Sequence, residues 1–132
     1  MNNPEVSVVW TSLPNAPRGG ERLVEVSRVS VTAAVECSLA ADPELAAFRI
    51  LVVGLVDGTV RAYVNRCRHF GVPFNRTGVA VRREEGELVC GVHGARYRVE
   101  TGRCLSEDCD ALPLLALPVE VRDGWVLVQR PE

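Results

Sequence analysis

Arg49-Ile50-Leu51-Val52-Val53-Gly54-Leu55-Val56-Asp57-Gly58-Thr59-Val60-Arg61-Ala62-Tyr63-Val64-Asn65 consists of two apolar, β-branched runs around an Asp-Gly pair. Asp-Gly suits the positive φ that a type I′ turn requires, so Arg49 to Val56 and Thr59 to Asn65 are predicted as the strands of a hairpin. Val119 to Arg122 and Trp125 to Gln129 repeat the pattern around Asp123-Gly124. Val79 to Arg83 and Glu87 to Cys90 flank Glu84-Glu85-Gly86 and read as a third hairpin. Further strand candidates are Val6 to Trp10, Arg22 to Val26 and Val29 to Val35. Asp42-Pro43-Glu44 has the form of an N-cap, a first-turn proline and an acidic first turn; with Leu45-Ala46-Ala47 it is either a short helix or a loop. Short strands with frequent turn signals imply an antiparallel all-β sandwich or barrel. The length of 132 residues, without repeats or linkers, is read as one domain over 1–132.

Composition narrows the function classes. Fifteen basic against seventeen acidic residues give a net charge of −2, which offers no basic footprint for nucleic acid. The longest apolar run, Ile50 to Val56, is far short of a membrane span, and no polybasic or amphipathic membrane segment stands out. The start, Met1-Asn2-Asn3-Pro4-Glu5, resembles neither a signal peptide nor a lipidation motif, so a cytoplasmic location is expected. Thiols stay reduced there. Five cysteines, an odd number, also argue against a full disulfide framework.

The chain has two histidines, and each lies within three residues of a cysteine: Cys67-Arg68-His69 and Cys90-Gly91-Val92-His93. Both pairs follow strand-like segments, where loops should begin. Two ligand atoms on each of two facing loops make a four-ligand cage. Gly71 and Gly94 follow the pairs and allow tight turning with inward-aimed N–H groups. A closed zinc site would use the same four donors. Zinc patterns usually pair Cys with Cys and His with His, whereas the interleaved order suits a cluster with two cysteines on one iron and two histidines on the other. A Cys–His catalytic dyad would require an orienting group and a cleft that the sequence does not reveal.

These residues resemble a Rieske-type 2Fe–2S ferredoxin. The similarity runs from about Arg61 to Val128, through Arg-Ala-Tyr-Val-Asn-Arg-Cys-Arg-His-Phe-Gly-Val-Pro-Phe-Asn, Leu-Val-Cys-Gly-Val-His-Gly-Ala-Arg-Tyr, Thr-Gly-Arg-Cys and Val-Arg-Asp-Gly-Trp-Val. The resemblance implies a three-sheet antiparallel β domain with a small cluster-binding part at about 65–112, formed by two loops. It implies Cys67, His69, Cys90 and His93 as metal ligands, with Gly94 and Tyr97 beside the cluster. The implied role is one-electron transfer rather than catalysis. A flavin reductase would be the donor and an oxygenase or reductase the acceptor; a small subunit of a nitrite-reductase-like enzyme is an alternative.

The sequence departs from the family pattern in several places. Arg68 and Gly91 replace the usual prolines of the ligand loops. Val72 and Val92 stand where quinol-oxidising members carry a disulfide. Ala95 replaces a serine, while Tyr97 keeps the tyrosine, either as a donor to a cysteine sulfur or as core packing. Ser106-Glu107-Asp108 takes the place of a Gly-Pro loop. Cys104 and Cys109 flank that loop and are read as packing thiols rather than a bridge, and Cys37 as a small hydrophobe or loop thiol. Trp10 and Trp125 are expected in the core. Around the histidines, Arg68, Phe70, Val72, Val92 and Arg96, with Glu107, Asp108 and Asp110 across the loop, are expected to form a mixed docking rim; the alternative is a rim of charges that only keeps the loop soluble.

Overall fold

The computed structural model describes residues 10–65, 82–84 (backbone only), 86–89, 96–105 and 113–129. Within them lie nine strands: β1 (Arg22–Glu25), β2 (Val35–Leu39), β3 (Phe48–Gly54), β4 (Val60–Val64), β5 (Arg82–Glu84), β6 (Glu87–Val89), β7 (Arg96–Arg98), β8 (Val119–Arg122) and β9 (Trp125–Val128). They form three antiparallel three-stranded sheets, ordered β1-β9-β8, β2-β3-β4 and β5-β6-β7. The all-β expectation and the three-sheet arrangement both hold.

The apolar run of β3 now has a cause. Side chains alternate across a strand, and β3 is covered on both faces. Phe48, Ile50 and Val52, with Ala62 and Val64 of β4, pack against Leu23, Val24, Leu117, Val126 and Val128. Leu51, Val53, Leu55 and Tyr63 pack against Leu88, Tyr97, Val99 and Leu114. A strand buried on both sides has no polar alternation to display. Ala62 O and Val64 N extend the sheet by pairing with Leu117 N and Leu115 O, each at 2.9 Å, which leads the chain towards β8. In β1 the register shifts between Arg22 and Val24, and a bulge there places the neighbours Leu23 and Val24 both inside.

Several local expectations need correction. Trp10 begins a 3-10 turn, Trp10–Ser12, instead of ending a strand, while residues 6–9 lie outside the described residues. It still packs on the core, edge-to-face with Phe48 at 6.4 Å between centroids. The expected strand from Val29 to Val35 is displaced to β2. Thr32 N donates to Ser30 Oγ at 3.0 Å, a local bond that competes with a ladder. Residues 42–46 are a loop. Asn15 Nδ2 donates to the carbonyls of Asp42 and Ala46 at 3.0 and 2.9 Å, and Asp42 N donates to Asn15 Oδ1 at 2.8 Å.

The two Asp-Gly hairpins close differently. At β8–β9, Asp123 and Gly124 have φ of 53° and 80°, the type I′ turn expected. At β3–β4 only Gly58 is left-handed, at 89°. Gly58 N donates to Leu55 O at 3.0 Å and Leu55 N to Thr59 O at 2.8 Å, giving a three-residue loop with a glycine bulge. Asp57 Oδ1 accepts from Thr59 N at 2.9 Å and Thr59 Oγ1 at 2.6 Å, which holds Asp57 in ordinary turn geometry.

Candidate metal centre

The small sheet β5-β6-β7 organises the site. Arg82 pairs with Val89, and Val89 with Arg96. Beyond β7, Leu105 N donates to Arg96 O at 2.8 Å and Arg98 N to Arg103 O at 2.9 Å, so a fourth extended stretch lies alongside. Arg82, Val89, Arg96 and Leu105 therefore stand abreast at one end of the sheet. Three chain segments attach there: 66–81 enters at Arg82, 90–95 links Val89 to Arg96, and 106–112 leaves after Leu105.

Cys67 and His69 belong to the first segment, Cys90, His93 and Gly94 to the second, and all five lie outside the described residues. The donor set suits a mixed-ligand 2Fe–2S cluster: two thiolates and two imidazoles, one of each in two segments of the sequence. Tyr97 is described. It is fully buried on β7, opposite Leu88, within the core cluster.

Asn65 escaped the sequence reading, where it was only the last residue of a strand. Its N–H donates to Arg49 O at 2.8 Å, which extends the β3–β4 ladder two residues short of Cys67. Among the described residues it is the one buried polar side chain, 3% exposed. Its Nδ2 donates to Glu36 Oε2, and that oxygen also meets Arg49 Nη2 at 2.6 Å. The available signal was an amide at a position where strand alternation calls for an apolar residue.

Charge near the sheet end is partly paired. Arg96 Nε donates to Glu87 Oε1 at 2.7 Å, and this holds the Glu87 carboxyl below its usual range. Cys104 forms a bridge with Tyr97 in the ladder and packs against the core, but it is disulfide-bonded, contrary to the packing-thiol expectation. Its partner lies outside the described residues. Cys37, on β2, keeps a free thiol that burial pushes up in pKa; its Sγ donates to Leu23 O at 3.3 Å. Among the described residues no helix is long and apolar enough to cross a membrane.

The profile of the Rieske [2Fe-2S] domain matches residues 23–116. Among curated proteins no sequence match is found. The fold is similar to that of a ferredoxin from Sphingomonas yanoikuyae B1, with a TM-score of 0.65 and 24% identity over 83% of this chain and 97% of that one. It is also similar to the ferredoxin of carbazole 1,9a-dioxygenase from Nocardioides aromaticivorans IC177, with a TM-score of 0.62 and 23% identity over 83% and 96% of the two chains. A third similar chain comes from the complex of reduced oxygenase and oxidized ferredoxin in carbazole 1,9a-dioxygenase, with a TM-score of 0.63 and 20% identity over 81% and 98%. Such identities carry the fold alone. The profile match, joined to the two interleaved cysteine–histidine pairs of the sequence, favours iron–sulfur over zinc, and this chain belongs to the Rieske [2Fe-2S] domain family.

Proposed function

We propose that this chain is a cytoplasmic one-electron carrier, with Cys67 and Cys90 holding one iron of a Rieske 2Fe–2S cluster and His69 and His93 the other. The observation that carries the reading is the shared sheet end, where the two ligand-bearing segments attach beside one another at Arg82, Val89 and Arg96. The bound cluster supplies a one-electron couple whose potential is raised by histidine ligation.

The chain's own residues anchor that centre. The ladder from Arg82 to Leu105 gives both ligand segments fixed roots. Gly94 allows close turning after His93, and Tyr97 fills the core beneath. An oxygenase is the acceptor best supported, since similar ferredoxin folds occur with an oxygenase in carbazole 1,9a-dioxygenase. A flavin reductase is the proposed donor.

Iron, sulfide and spectra of the purified protein test this reading. Two irons and two acid-labile sulfides per chain, a reddish-brown colour and loss of the spectrum in His93→Ala are expected. A colourless, zinc-loaded protein would overturn it, and so would a His93→Ala variant with an unchanged spectrum.

A further inference from the structure

We infer that Asn65 is a positioning residue for the first ligand pair, acting through Glu36 and Arg49; this rests on the ligand assignment proposed above. Strand alternation puts Asn65 on the face of β4 that carries Tyr63, and the β2–β3 register puts Glu36 opposite Leu51 on that same face. An apolar side chain would fill such a slot without needing a partner. An amide there is costly unless its donors and acceptors are paired.

The pairing crosses three strands. Glu36 on β2 accepts from Asn65 Nδ2, while Arg49 on β3 holds the same carboxylate oxygen at 2.6 Å and gives its carbonyl to Asn65 N at 2.8 Å. Asn65 is thus fixed at both backbone and side chain, one residue past the end of β4. Arg66 and Cys67 follow directly. A partly exposed ion pair such as Arg49–Glu36 contributes little by itself. Its use here is to orient the carboxylate that orients the amide. Metal ligands need rigid support from the residues behind them, and this latch gives the first ligand pair a fixed point of departure.

Three variants test the inference: Asn65→Leu, which fills the slot without an amide; Glu36→Ala, which removes the acceptor; and Glu36→Gln, which retains an acceptor oxygen. Each loaded protein is examined by electron paramagnetic resonance of the reduced cluster and by the rate of iron loss to a chelator. Asn65→Leu and Glu36→Ala should alter the resonance and lose iron roughly tenfold faster, the scale of one lost hydrogen bond at a part-buried site. Glu36→Gln should stay close to wild type. A loaded Asn65→Leu protein with the wild-type resonance and release rate overturns the inference, whatever its melting temperature. Should that variant not fold, Glu36→Ala decides by the same two measurements. Wild-type protein lacking two irons and two sulfides would overturn the ligand assignment and this inference together; a loaded wild type with unaffected variants overturns this inference alone.

Discussion

The Tyr63 hydroxyl donates to the carbonyl of Val99 at 2.6 Å, and this bond ties the central sheet to the residue that directly follows β7 of the small sheet. Both residues are buried in one core cluster. Tyr63→Phe should therefore cost about 1–2 kcal/mol, since the Val99 carbonyl loses a buried donor. Thermal or urea unfolding of the loaded protein reads the loss.

The same bond has a pH dependence. Burial pushes the Tyr63 phenol up to about 12, above the value of about 10 for an unfolded chain. The stabilisation from its protonated form is full below the unfolded value and is lost as pH rises from about 10 to 12. The stability advantage of wild type over Tyr63→Phe should shrink across that window. An advantage that stays constant from pH 9 to 11.5 would contradict this.

Arg96 directly follows the segment that holds the proposed ligands Cys90 and His93, and its side chain is 56% exposed beside Glu87. If the partner docks at this end, Arg96→Glu should slow electron transfer several-fold at low salt, through association, with the effect fading as salt screens it. Glu87→Gln breaks the same ion pair without reversing a charge and should change little. Equal stopped-flow rates for Arg96→Glu and wild type at low salt would place docking elsewhere.

Cys104 should be joined to Cys109. Cys37 is free, and Cys67 and Cys90 are proposed ligands, so the cysteine five residues on is the one left. Peptide mapping after alkylation without reductant should recover the linked pair. Finding Cys104 alkylated in the cluster-loaded protein would refute the bridge.

The cluster potential should fall at the low end of the Rieske range, about −150 to 0 mV, because Ala95 offers no hydroxyl to stabilise the reduced state. Voltammetry giving more than about +200 mV would rule out this hydrogen-bond argument. Ala95→Ser should raise the value.

Local chemistry was legible where a residue's neighbours along the chain set the outcome. Asp123-Gly124 makes its type I′ turn because both residues tolerate positive φ and nothing next to them competes. Asp57-Gly58 does not, since the Thr59 hydroxyl and N–H hold the aspartate in another geometry. Ser30 and Thr32 likewise replace an expected strand with a side-chain turn. Spacing alone singled out the cysteine–histidine pairs as proposed ligands, because donor chemistry is a property of residue type and separation.

The sequence by itself therefore determined the strand-rich character and all three hairpin pairings, and it proposed the donor set. Tertiary structure decided what depends on distant segments meeting. Nothing near Asn65 in sequence announces that Glu36, 29 residues away, will accept from its amide. The apolar run of β3 reads as a strand in either case, but only the stacking of three sheets explains why both of its faces are dry. Arg82, Val89, Arg96 and Leu105 come abreast through antiparallel pairing, so the end of the sheet where the segments bearing the proposed ligands attach is a consequence of register, which three-residue strands rich in charge do not specify until a buried face selects it.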